Sequence, residues 1–127
     1  MAGYEKFNNN PKNKITADCV IRAISKGLNK RWEDVFEDLV VIARKLKSVP
    51  TATEVYTEYL KDYETIPVMY DSPIGRKRYT IGQITLLKWE GVYIIKIAKH
   101  LTTIYEGTIY DIWDCGGKCA YKIWRVK

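Results

Sequence analysis

Histidine is nearly missing from this 127-residue chain: it has a single one, His100. Any chemistry that needs an imidazole must run through that residue. Cysteine is scarce too, with three copies. An odd, small number argues against a disulfide framework and for a reducing, cytoplasmic setting. At least one thiol is then free, and its purpose has to be asked. No stretch approaches 18 apolar residues, so no membrane partner is expected. The first residues lack an apolar h-region, which predicts no secretory signal. No internal repeat or low-complexity tract is present.

What remains is ordinary for a globular protein. The hydrophobic fraction is 46% and the charged fraction 28%, which places the chain away from disorder. Its length suits one domain spanning residues 1–127 with a single core. Ten tyrosines and four tryptophans suit strands and a groove. The net charge is +6. The basic residues are scattered except for Gly75-Arg76-Lys77-Arg78, so they read as a solvated surface, with nucleic acid or an acidic protein as the lesser alternative.

Organisation follows from periodicity. Residues 1–17, with Asn8-Asn9-Asn10-Pro11, read as an irregular lead-in. Residues 18–63 read as helical. Asp18 can cap a first helix whose broad apolar face holds Val20, Ile21, Ala23, Ile24 and Leu28, with Gly27 near its stop. Trp32 to Lys47 repeats apolar residues at helical spacing, including Val35, Phe36, Leu39, Ala43 and Leu46. A shorter helix opens at Thr51 or Thr53. Residues 66–126 read as mainly strand. Ile66 to Tyr70 is a short strand, Asp71-Ser72-Pro73-Ile74-Gly75 a loop, and Thr80 to Lys88 a short helix with Ile81, Ile84, Leu87 and Leu86 inward. Strand-like runs follow at Val92 to Lys99, His100 to Tyr105, Thr108 to Asp114 and Cys119 to Val126. Glu106-Gly107 and Gly116-Gly117 read as hairpin turns between the last three. The expected fold class is α+β, with N-terminal helices packed on a C-terminal antiparallel sheet.

The thiol of Cys19 stands at the first turn of the first helix. That end carries the positive pole of the macrodipole and favours the thiolate. A cysteine nucleophile needs a base, and the base an orienting group. His100 is the available base. If Glu106-Gly107 is a two-residue turn, Tyr105 pairs with Thr108 and Thr102 with Asp111. His100 and Thr102 share a face, so Asp111 becomes a diagonal neighbour of the imidazole. A three-residue turn with a bulge would present Asp114 instead. For the oxyanion, the backbone N–H of Cys19 is one donor, and Asn13, six residues upstream, is a candidate second.

The segments D-C-V-I-R-A-I, G-V-Y-I-I-K-I-A-K-H-L-T-T-I-Y-E-G-T-I-Y-D-I-W-D-C and Y-K-I-W resemble a family of small phage and prophage proteins with a minimal papain-like cysteine peptidase fold. The resemblance spans about Asp18 to Trp124. It implies a cysteine peptidase, or a related amide or isopeptide hydrolase, that acts on a protein or peptide in the cytoplasm of a host cell and uses no cofactor. Cys19 would be nucleophile, His100 general base and acid, Asp111 orienter and Asn13 an oxyanion donor. Trp113 would flank the His–Asp pair. Papain has Gly-Ser before its cysteine, where this chain has Ala-Asp. Asp18 beside the thiol opposes ionisation, unless it caps the helix or pairs with Arg22.

Two other readings use the same residues. A non-catalytic papain-like module would bind a host protein or nucleic-acid factor through the basic, aromatic surface. A zinc site would draw on Cys19, His100, Cys115 and Cys119, although C-x3-C across two glycines is poor zinc spacing; Cys115 and Cys119 read instead as packing residues.

Overall fold

The computed structural model describes residues 3–70 and 77–127. The expected loop at Asp71-Ser72-Pro73-Ile74-Gly75, and Arg76 of the basic cluster, lie outside the described residues. Within them the chain runs β1 (Tyr4–Lys6), α1 (Cys19–Leu28), α2 (Trp32–Leu46), α3 (Thr53–Tyr59), β2 (Glu64–Ile66), α4 (Ile81–Leu86), β3 (Val92–Ile97), β4 (His100–Tyr105), β5 (Thr108–Asp111) and β6 (Lys122–Arg125). This is an α+β arrangement of four helices and a six-stranded sheet.

β3 is buried along almost its whole length, which a sheet with one wet face does not require. The cause is its place in the sheet, whose order is β1-β5-β4-β3-β6-β2. Its alternating side chains feed two cores. On one side Ile94 joins Leu101 and Trp124 under α1, α2 and α3, with Ile24, Leu39 and Val55. On the other, Tyr93, Ile95 and Ile97 pack with Ile104, Ile109, Ile123 and the α4 residues Ile81 and Ile84. Both edge strands have only three residues, a common way to blunt an edge against pairing with other chains.

α2 buries Val35, Leu39 and Ala43. Phe36 and Leu46, expected on the same stripe, are exposed at its margin; Phe36 stacks on Trp32 with ring centroids 5.6 Å apart. α4 is held by a capping box of Thr80 and Gln83. Its Ile81 and Ile84 are buried as expected, whereas Leu86 and Leu87 are exposed. The helix is a turn and a half long, and Leu87 lies past its last residue, so it leaves the buried face.

Three expectations need correction. Residues 1–17 are not all irregular, because β1 adds to the sheet parallel to β5, with Tyr4 opposite Ile109. The sheet is therefore mixed. Gly116-Gly117 does not close a hairpin: β5 has β1 and β4 on its two sides, so β6 crosses to lie between β3 and β2, with Ile123 opposite Ile95 and Ile66. The strand placed at Ile66 to Tyr70 lies earlier, at Glu64–Ile66, where Pro67 ends it for want of an N–H.

α1 stops near Gly27, as expected, although the closing residue is another. The helix continues to Leu28 and closes on left-handed Asn29 (φ 54°). The glycine is there for space: a Cβ on it would stand 2.8 Å from both Cγ1 and Cδ1 of fully buried Ile94. Overpacking of this kind costs roughly 1–3 kcal/mol, against about 1 kcal/mol gained in helix propensity. Gly27→Ala is expected to lower the urea midpoint, with a net loss of up to about 2 kcal/mol; an unchanged or raised midpoint would show that Ile94 can move aside. Among the described residues no helix is long and apolar enough to cross a membrane.

Candidate functional site

α1 begins where the apolar stripe begins. Asp18 takes the N-cap position, and its carbonyl accepts the Arg22 N–H at 2.9 Å. Its carboxylate makes no capping bond, contrary to the first of the two roles foreseen for it. It is committed elsewhere: it accepts from Arg22 Nε (2.7 Å), Asn10 Nδ2 and Trp32 Nε1 (both 3.0 Å). The first-turn N–H groups of α1 therefore keep no acceptor from the helix itself, and the Cys19 thiol sits beside them, half-buried.

The β4–β5 hairpin is built as its residues dictate. Glu106 and Gly107 both have positive φ (49° and 80°), the signature of a two-residue turn that matches strand twist. The ladder pairs Tyr105 with Thr108, Ile104 with Ile109 and Thr103 with Tyr110. That register puts Asp111 beside the imidazole: His100 Nε2 lies 2.6 Å from Asp111 Oδ2. Asp114 instead accepts the Gly116 N–H in an exposed turn.

Asp111 is buried and heavily bonded. Its Oδ2 also accepts from Thr102 Oγ1 at 2.7 Å. Its Oδ1 accepts from the Ile112 N–H at 2.7 Å and from Arg22 Nη1 at 3.1 Å. Its backbone carbonyl accepts from the Phe7 N–H (2.8 Å) and the Tyr4 hydroxyl (3.1 Å). Arg22, itself buried, thus bridges two buried carboxylates, Asp18 and Asp111. Neither bridge to Asp111 nor the Thr102 bond was foreseen. The signal was available for Arg22: an arginine set among Val20, Ile21, Ala23 and Ile24 on a buried helix face has to find partners.

The electrostatics of the thiol and the imidazole are complementary. Burial opposes ionisation of Cys19, but hydrogen bonds from the His100 ring and the Leu101 N–H, with the nearby charges of His100 and Arg22, outweigh it and hold the thiol below its ordinary pKa. Burial likewise disfavours the imidazolium, yet the hydrogen bonds and charges of Asp111 and Cys19 raise His100 to about 9. With Nε2 given to Asp111, the other ring nitrogen is left for the thiol. The Cys19 thiol is therefore easier to ionise than a free thiol, while His100 carries its proton near neutral pH. The Asp111 carboxyl is kept below its usual range, against its burial, chiefly by His100 and Thr102. Asp18 is kept low in the same way by Asn10, Arg22 and Trp32.

The remaining expected residues are spread unevenly. The Trp113 ring lies 5.2 Å from the His100 ring, tilted by 58°. Asn13 is exposed in a left-handed turn (φ 52°) and does not line the cleft of about 260 Å³ that opens at Cys19 and His100. Cys115 is fully buried, with its sulfur 4.0 Å from Asp111 Oδ2. Burial pushes that thiol up to about 12, which leaves it neutral and unreactive. Cys119 pairs its backbone with Thr80, the N-cap residue of α4. Among the described residues the four supposed zinc ligands do not cluster. The potential ligands that do are His100, Asp111 and Cys115, within 4.8 Å, and the 2.6 Å between the first two is a hydrogen-bond length, shorter than two ligand atoms sharing a zinc with bonds of about 2.0–2.2 Å would keep.

No protein-family model matches the chain, and no curated protein or solved structure matches it.

Proposed function

We propose that this chain is a papain-like thiol hydrolase that cleaves amide bonds of a protein or peptide. The observation that carries the reading is the imidazole of His100, held by Asp111 Oδ2 at 2.6 Å and lining the same cleft as the Cys19 thiol at a helix start. The order Cys, His, Asp along the chain, with the Cys on an N-terminal helix and the His and Asp on later neighbouring strands, supports the papain-like reading.

In the reaction the Cys19 thiolate attacks the carbonyl carbon. A C–S bond forms, and the oxygen takes up the electron pair beside the Cys19 N–H. As the tetrahedral adduct collapses, the C–N bond breaks and the His100 imidazolium gives its proton to the departing amine. The acyl group is then a thioester. His100, now neutral, takes a proton from water as that water attacks, the C–S bond breaks, and acid and thiolate are released with the imidazolium restored. Asp111 holds the ring in place throughout, and Arg22 and Thr102 hold Asp111.

Iodoacetamide tests this. Cys19 is expected to alkylate far faster than Cys119, with Cys115 inert, when the three are compared by peptide mass spectrometry. The rate is expected to persist at pH values where ordinary thiols are protonated, and to change character as His100 deprotonates near pH 9. His100→Ala is expected to slow Cys19 at pH 6 by about 10–100-fold, the loss of thiolate outweighing the gain in intrinsic nucleophilicity. Cys19 reacting no faster than Cys119 would leave a binding module as the better description.

A further inference from the structure

The cleft at Cys19 is lined by cations. Lys96 comes from β3 and Lys99 from the β3–β4 turn, one residue before His100. Among the described residues no aspartate or glutamate lines it, and neither lysine forms an ion pair. Lys96 Nζ rests 5.8 Å over the ring of Tyr121, a residue that does not line the cleft; the contact leaves its charge intact. Lys99 occupies a left-handed position (φ 54°) where glycine or asparagine would cost less. Lys47 and Lys88 share that conformation, but of these only Lys99 borders the cleft.

α3 and the residues before it also contribute to the lining, through Thr51, Thr53 and Tyr56. The Tyr56 hydroxyl donates to Thr53 Oγ1 at 3.4 Å, so the proton of Thr53 is free for an acceptor. A cleft bordered by two lysines and by hydroxyl donors, with no acid among its described lining, attracts anions, and ammonium–carboxylate bonds are among the strong ones.

We propose that the cleft selects substrates with an acidic side chain next to the carbonyl that Cys19 attacks, the carboxylate being held between Lys96 and Lys99. This rests on the thiol-hydrolase reading and supplies its substrate class.

Two pairs of probes test it. The first is iodoacetate against iodoacetamide, near-isosteric reagents that differ in charge. Lysines near the thiol also raise its thiolate fraction, but that acts on both reagents alike, so the ratio of their rates at Cys19 isolates attraction of the anion. The double variant Lys96→Gln, Lys99→Gln is expected to lower the ratio about 10-fold, the low end of electrostatic steering. Half-molar salt should shrink the difference. The second pair is a peptidyl acyloxymethyl ketone with glutamate beside the warhead and its glutamine counterpart. The native protein is expected to react about 10-fold faster with the glutamate probe, and the double variant to lose that preference. An iodoacetate ratio unmoved by the substitutions overturns the proposal, as do equal rates for the two ketones. If neutral iodoacetamide itself fails to single out Cys19, the hydrolase reading falls and carries this one with it; selective iodoacetamide labelling with an unmoved ratio removes the acidic specificity alone.

Discussion

Cys19→Ser is expected to cut amide hydrolysis by about 10⁴-fold or more, with a melting temperature within a few degrees of the parent. Removal of a nucleophile costs on this order because the catalytic groups act as a unit. A serine hydroxyl is nearly the size of the thiol but cannot ionise near neutral pH. The imidazolium, raised to about 9 by its two partners, would lose one of them, and the paired charges would not form. The check is turnover of whichever peptides the parent cleaves in a defined peptide mixture, together with mass spectrometry for a thioester at Cys19. Turnover retained within tenfold of the parent would remove Cys19 from the chemistry.

Arg22→Met is expected to destabilise the fold by about 3–5 kcal/mol, the usual cost of removing one partner from a buried ion pair. Methionine keeps much of the volume, so the loss is electrostatic. Asp18 would keep Asn10 and Trp32, and Asp111 would keep His100, Thr102 and the Ile112 N–H, but neither would face a full positive charge on α1. The pH dependence has a definite sign. Asp18 and Asp111 have lowered pKa values in the fold. Their contribution is present above the unfolded carboxyl pKa of about 4 and lost as pH falls through the folded values. The gap between parent and variant should therefore be widest near neutral pH and narrow below about pH 4. His100 works in the other window: raised from 6.5 to about 9, it stabilises fully below 6.5 and loses that contribution as pH rises toward 9. Urea melts at pH 3.5, 6 and 9 would separate the two. A variant as stable as the parent at pH 6 would show that the arginine is dispensable to both carboxylates.

Cys19, His100 and Asp111 could be grouped from the sequence because each rests on local chemistry. A helix start is marked by the onset of an apolar stripe, and two residues of positive φ at Glu106 and Gly107 set a register that then fixes which side chains share a face. Arg22 was readable only in part. An arginine in an apolar run announces that partners exist, but Asp111 lies 89 residues away, and no local pattern names it. The same holds for β1. Three residues cannot display a period, and the parallel partner that stabilises them sits at the opposite end of the described chain. Gly116-Gly117 misled for the converse reason: a good local turn signal was overridden by a sheet edge that β1 already occupied. Asp18 looked like a cap because the cap rule is local, while its real partners include Trp32 on the next helix.

The clamp of Tyr4 and Phe7 on the Asp111 backbone has a consequence for the making of the protein. Tyr4 and Asp111 are separated by 107 positions. At about 5–20 residues per second, a ribosome needs about 5–20 s to travel between them. For nearly all of that interval the edge strand has no neighbour to pair with, and until His100 is made Cys19 has no imidazole to ionise it. The nascent chain carries an ordinary thiol. Its activation therefore waits on residues made about 80 positions after the thiol itself, when β4 brings His100 to α1.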